Sequence, residues 1–158
     1  MNIQIRPWQP EHVDMMMEWV GKDRSILKAL NVPEETSDFD VRRMLVTALV
    51  DGRFVAMRGD TPVAAIAVYD AKPNGVGFVS IVANPETSGF ATVAACRQMI
   101  AALFNGIGMR DLRVQIADDN DTALKLARHC GFVDTGVRQL KLEKEDYDNG
   151  PGNSSSDR

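Results

Sequence analysis

Apolar and polar positions along the chain fall into short runs of two kinds. Ile3 and Ile5 alternate with Gln4 and Arg6, the period of a half-buried strand, and Pro7 and Pro10 end the run. Val13, Met16, Met17 and Val20 then recur at helical spacing, with Gly21 as a stop. Residues 22–40 carry Pro33 and no clear period, so a loop or broken helix is expected there. Val41, Met44, Leu45, Ala48 and Leu49 restore the helical spacing, with Asp38 or Asp40 as the expected N-cap. The run RFVAMRGDTPVAAIAVYD predicts a hairpin turning at Gly59-Asp60. Lys72-Pro73-Asn74-Gly75 marks another turn before VGFVSIVAN at 76–84, apolar almost throughout as a strand covered on both faces should be.

Val93, Cys96, Ile100, Leu103, Phe104 and Ile107 then give a long helix ending near Gly106–Gly108. LRVQIA at 112–117 is a strand, and TALKLARHC is a short helix closed by Gly131. VDTGVRQLKLEK is one bent strand or two short ones, with Val137, Leu140 and Leu142 alternating imperfectly. The predicted order is β-α-α-β-β-β-α-β-α-β-β, an α/β (α+β) fold with a mixed sheet and helices on both faces.

Composition narrows the function. The 158 residues suit one domain. No apolar run approaches the roughly 20 residues of a membrane span, and MNIQIRPW lacks the pattern of a signal peptide. Residues 143–158 hold Glu143, Glu145, Asp146, Asp148 and Asp157 against Lys144 and Arg158, a net −3 of the chain's −4. The remainder is close to neutral, without the basic patch that nucleic acid requires. Cys96 and Cys130 sit in helical patterns and read as core, so neither a disulfide nor a metal site is expected and a cytoplasmic setting is. Residues 149–158 are rich in Gly, Ser and Asn and are expected to be disordered unless a partner holds them.

One stretch carries chemistry. ETSGFATVAAC at 86–96 follows an apolar strand and opens a helix. Such a junction offers free backbone N–H groups and a positive helix end, which together suit an anion. Gly89 permits close approach, and the Ser88 and Thr92 hydroxyls are further candidate donors. Downstream, the run NDTALKLARHCGF begins with Asn120, places Ala123 three residues on, and ends in Gly131-Phe132.

Together these motifs and the element order resemble the GNAT superfamily of acyl-CoA-dependent N-acetyltransferases, over roughly residues 2–142. The pattern is most similar to the branch containing the ribosomal-protein alanine acetyltransferases. The family's pyrophosphate loop reads Q/R-x-x-G-x-G/A, and Glu86–Ala91 matches all but its first position. The resemblance implies a mostly antiparallel central sheet that splays between strands 76–84 and 112–117. It implies acetyl-CoA as acyl donor, with no metal. The pantetheine would pair with backbone of Ile81, Val82 and Ala83, and the pyrophosphate would sit on N–H groups of Ser88, Gly89, Phe90, Ala91 and Thr92. Asn120 would contact the pantetheine or orient its loop, or serve only as an N-cap. The acceptor would be a primary amine on a small molecule or a protein N-terminus. Where many members place a general-acid tyrosine, seven residues after the Asn, this chain has Ala127. No base is assigned; Asp70 and Glu18 are candidates by exclusion, His129 is expected to face solvent, and His12 has no evident partner. Glu34, Glu35, Asp38 and Asp40 could attract a cationic amine or form a solvated face. The alternative is a catalytically silent member of the fold, with the 143–158 tail as an assembly or homo-oligomer element.

Overall fold

The computed structural model describes residues 2–48, 50–135 and 139–150. The elements in chain order are β1 (Gln4–Pro7), α1 (His12–Lys22), α2 (Ile26–Ala29), α3 (Asp38–Thr47), β2 (Gly52–Arg58), β3 (Thr61–Tyr69), β4 (Val76–Ala83), α4 (Gly89–Ala101), β5 (Asp111–Gln115), α5 (Asp121–His129), β6 (Val133–Asp134), β7 (Gln139–Glu143) and α6 (Lys144–Asn149). The strands form one sheet in the order β1-β2-β3-β4-β5-β7-β6. Every neighbouring pair is antiparallel except β4–β5. The mixed, mostly antiparallel sheet matches the expected fold class.

The sheet is covered on both faces. On one, α4 and α5 bury Ala95, Cys96, Met99, Ile100 and Ala127 against Ile66, Val79 and Leu112. On the other, α1, α2 and α3 bury Val20, Leu27 and Val41 against Ala65 and Val82. This two-sided cover explains why β4 is apolar at successive positions. The α4 helix continues through a wider π-helical turn at Ala102–Ile107 and stops at Gly108, whose φ of 86° suits only a residue without Cβ. By length and composition Gly89–Ile107 is apolar enough to cross a membrane, yet α4 packs against β2 and β3 of the sheet.

Four local expectations change. Gly21 lies inside α1, which runs on to Lys22 before Asp23 turns extended. The N-cap of α3 is Ser37, whose hydroxyl accepts from the Asp40 N–H at 3.1 Å, because Asp38 and Asp40 already belong to the first turn. The segment expected to be loop or broken helix contains the four-residue α2, held by burial of Ile26 and Leu27. The strand expected over 112–117 starts at Asp111 and ends at Gln115.

Leu49, Val137 and the terminal run 151–158 lie outside the described residues. The acidic segment set apart from 143 onward begins in β7 and continues as α6, where Tyr147 is buried against Phe104 with ring centroids 4.8 Å apart. Lys144 and Asp148 form an exposed i,i+4 pair on the same helix at 2.5 Å.

The packing of α6 sets a contrast to measure. Tyr147→Ala should lower unfolding free energy by about 3 kcal/mol, the scale of truncating a buried aromatic. Asp148→Ala, which removes only an exposed pair, should change it by less than about 1 kcal/mol. Denaturant titration of both variants checks the difference.

Candidate active site

The site begins where two strands part. β4 and β5 run parallel for only three residue pairs, Val76↔Asp111, Gly77↔Leu112 and Phe78↔Arg113. Beyond them β5 pairs with β7 on its other side, and β4 stays paired with β3 as far as Ala64↔Ala83. Gly77 belongs to the closed end. A Cβ there would sit 2.9 Å from the Met109 side chain and 3.4 Å from the Ala71 backbone.

Backbone parity fixes what faces the gap. The Val76 carbonyl accepts from the Lys72 N–H at 2.7 Å, and the Asn84 N–H donates to the Val63 carbonyl at 2.8 Å. Even-numbered residues of β4 therefore turn their backbone groups toward β3. With no register shift between β3 and β4, Val79, Ile81 and Ala83 turn theirs toward the gap, where no strand completes the ladder. Of the three β4 residues singled out from sequence, Ile81 and Ala83 offer backbone to the cleft. Val82 offers backbone to β3, and its side chain is buried among α1–α3.

The mouth of the gap is the β4–α4 loop. Asn84 shapes it: its side chain donates to the Pro62 carbonyl at 2.9 Å and accepts from the Glu86 N–H at 3.0 Å. Ser88 is the N-cap of α4, its hydroxyl accepting from the Ala91 N–H at 3.2 Å. The Thr92 hydroxyl donates to the Ser88 carbonyl at 3.0 Å, as does the Thr92 N–H. The Thr92 O–H and the N–H groups of Ala91 and Thr92 thus donate inside the turn, whereas the Ser88 hydroxyl accepts there and keeps its own O–H. Among the described residues, the N–H groups of Ser88, Gly89 and Phe90 keep no protein acceptor. Phe90 is 78% exposed, and no atom stands within 4 Å of where a Gly89 Cβ would lie.

Across the gap, Asn120 caps α5, its side-chain oxygen accepting from the Ala123 N–H at 3.3 Å. Asn120 lines a narrow cavity of about 30 Å³ together with Ile81, Gln115, Ala123 and Cys130. Lys28 and Ala29 of α2 reach this cavity from the opposite face of the sheet. Ser80 anchors α2 there by donating to the Ala29 carbonyl at 2.8 Å, and Lys28 pairs with Asp119 at 3.2 Å across the gap. Both cysteines are buried, as expected of core. Hydrogen bonding to Cys130 and burial push the Cys96 thiol well up, which keeps it protonated at neutral pH.

A second cavity of about 300 Å³ lies under α1–α3, against β2, β3 and β4. Its walls are mainly apolar, with Trp8, Met16, Leu30 and Met44 among them. Gln115 lines both cavities, so the two approach each other where the strands part. Sequence reasoning missed Gln115, Tyr69 and Arg53, all on the wall of the larger cavity. Burial pushes the Tyr69 hydroxyl up and the Arg53 guanidinium down from their ordinary ranges. The alternation of β2 and β5 allowed an inward polar residue, but no local signal told which side was inward.

A family model for the acetyltransferase (GNAT) domain matches residues 2–133. The chain belongs to the GNAT acetyltransferase family. A search of curated protein sequences returned no match. Among solved structures, spermidine N-acetyltransferase from Vibrio cholerae, in complex with CoA and spermine, is similar at TM-score 0.73 and 14% identity, covering 92% of this chain and 97% of that one. Aminoglycoside acetyltransferase AAC(6')-Ib, in complex with paromomycin and acetyl-CoA, is similar at TM-score 0.76 and 15% identity, covering 98% and 100%. At such identity the likeness is one of fold.

Against the GNAT loop pattern, Glu86 is the departure, and the structure gives it a partner. Lys22, at the end of α1, holds Glu86 at 3.0 Å and Glu18 at 3.1 Å. Donating hydrogen bonds to Glu86 and Glu18 pushes the Lys22 ammonium up, so the cation stays beside the loop. The base candidates fare differently. Glu18 is engaged by Lys22, and Asp70 ends β3 in a left-handed turn with φ 52°. His12 Nδ1 accepts from the Gln9 N–H at 2.8 Å, and His129 is exposed as expected. None of these four lines either cavity.

The two caps make a paired test of local architecture. Ser88→Ala and Asn120→Ala should each cost about 1 kcal/mol of stability, the usual worth of an N-cap side chain. Thermal melts of the two variants check it.

Proposed function

We propose that this GNAT protein transfers an acetyl group from acetyl-CoA to a primary amine of a small molecule. The observation that carries the reading is the open edge of β4 at Val79, Ile81 and Ala83, which ends at an anion-ready helix start. An extended chain bearing amides can add to such an edge as a strand would. The backbone of Ile81 and Ala83 would hold the pantetheine, and the free N–H groups of Ser88, Gly89 and Phe90 would hold the pyrophosphate. The Asn120 side chain would steady the β5–α5 side while capping its helix.

The acyl donor supplies a thioester carbonyl when bound; attack by the amine forms the C–N bond and releases the thiolate. The chain contributes placement and a donor for the developing oxyanion. The N–H of Ile81 or Ala83 supports that role better than that of Val82, which parity turns toward β3. Among the described residues, neither cavity is lined by a carboxylate or a histidine. Loss of the amine proton to solvent water follows as the simplest route. On that route kcat/KM for the amine should climb about tenfold per pH unit until the amine's own pKa is passed. A pH–rate profile with an earlier plateau would point to a protein base instead.

The donor site is tested by a thermal melt with acetyl-CoA. At about 100-fold over Kd, ligand should add roughly 2.7 kcal/mol and raise Tm by several degrees. Gly89→Glu should abolish the shift while leaving the free protein as stable as before. Open space surrounds that Cβ, and a carboxylate suits a first helical turn when no anion is bound. An unchanged Tm in millimolar acetyl-CoA would contradict the reading.

A further inference from the structure

The walls of the larger cavity carry information about the acceptor that the donor site does not. A polycationic amine needs carboxylates to meet its charges, and among the described residues none lines this cavity. Nearby acidic residues are engaged elsewhere: Asp51, two residues before Arg53, accepts from the Ala71 N–H at 2.9 Å, Asp38 pairs with Arg24 at 2.7 Å, and Glu34 lies 3.6 Å from Lys28. Among the described residues, the one charged group on the wall is a cation, Arg53.

Arg53 is half-buried and has no carboxylate partner among the described residues. Its Nη1 donates to the Leu45 carbonyl near the end of α3 at 2.6 Å, and its guanidinium lies 5.5 Å from the Trp8 ring centroid. These contacts fix the plane of the group and use one of its five donors. The rest of the fork, suited to bidentate recognition of a carboxylate, has no protein acceptor among the described residues. A guanidinium held in an apolar cavity without an anion is a cost that a bound anion would offset.

The sheet register gives the spacing. Arg53 pairs with Ala67, and Ala67 with Ser80, so the three side chains share one row on one face. Two strand spacings, about 10 Å, separate Arg53 from Ser80 beside the gap. We propose that the acceptor is an apolar primary amine carrying a carboxylate about 10 Å from its nitrogen, with the carboxylate on Arg53 and the amine at the gap by Ser80 and Gln115. This assignment rests on the acetyl-transfer reading for the position of the amine, and on the cavity itself for the position of the carboxylate.

Two readouts separate these dependencies. Trp8 lines the cavity, whereas Trp19, the other tryptophan, is buried at 3% exposure and does not. Tryptophan fluorescence without acetyl-CoA therefore reports occupancy of the cavity alone. 8-Aminooctanoate should bind about tenfold or more tighter than octylamine, the margin of a charge-assisted hydrogen bond, and spermidine should not compete. With acetyl-CoA present, kcat/KM should follow the same order. In Arg53→Gln the ratio of carboxylate to plain amine should collapse to within about twofold, and Arg53→Lys should restore part of it. A residue that only steadies α3 would lower both substrates together and leave the ratio unmoved. Octylamine or spermidine matching 8-aminooctanoate, or a ratio unchanged in Arg53→Gln, would overturn the assignment. Fluorescence preference for the carboxylate without any acetyl-CoA melt shift would uphold the carboxylate site and overturn the donor reading alone.

Discussion

The early end of the β4–β5 ladder is the constraint on which the rest depends. Two parallel strands that stayed paired would satisfy each other's backbone and close the sheet. Here they stay paired only from Val76 to Phe78, next to the close approach at Gly77. Beyond that point β5 is held by β7 and β4 by β3, so neither strand needs the other. The consequence is a row of backbone donors and acceptors facing a gap in the middle of a sheet rather than at its rim. Buried backbone without partners is costly, and a ligand with amides along its length can supply them.

Everything nearby serves or borders this gap. The chain leaves β4 through a loop shaped by Asn84 and starts α4 with its spare N–H groups at the mouth. The start of α5 supplies the other lip, capped by Asn120. From the far face α2 is tied across by Ser80 and by the Lys28–Asp119 pair. Electrostatics divides the region in two. At the mouth Glu86 is drawn to Lys22, which keeps a cation beside the loop. Under α1–α3 the wall is apolar around the guanidinium of Arg53. The two cations thus differ: Lys22 is shared by Glu18 and Glu86, whereas Arg53 has no carboxylate partner among the described residues.

Much of this was legible in the sequence, because the relevant signals are local. The nearly continuous apolar run at 76–84 gave a strand covered on both faces, and a glycine loop opening a helix gave the mouth. The Asn120 and Gly131 signals framed α5. What escaped needed the third dimension. Which of Ile81, Val82 and Ala83 faces the gap follows from pairing to β3, and shifting that register by one residue would reverse the answer. The Ser88 and Thr92 hydroxyls read alike as candidate donors, yet the turn takes up the O–H of Thr92 and leaves that of Ser88. Arg53 and Gln115 sit unmarked inside the expected strands RFVAMRGDTPVAAIAVYD and LRVQIA. Their meaning comes from α3 and Trp8 in one case and from two converging cavities in the other. α2, four residues long, is below the length at which a period can be recognised.

The central claim is that the β4 edge is the acyl-donor site, and backbone amide NMR during an acetyl-CoA titration tests it most directly. The account predicts the largest shifts at the N–H groups of Ile81, Ala83, Gly89 and Phe90, with those of Ser80 and Val82, bonded to β3, moving less. Shifts of equal size on both parities of β4, or changes confined to residues away from the gap and the α4 start, would contradict it.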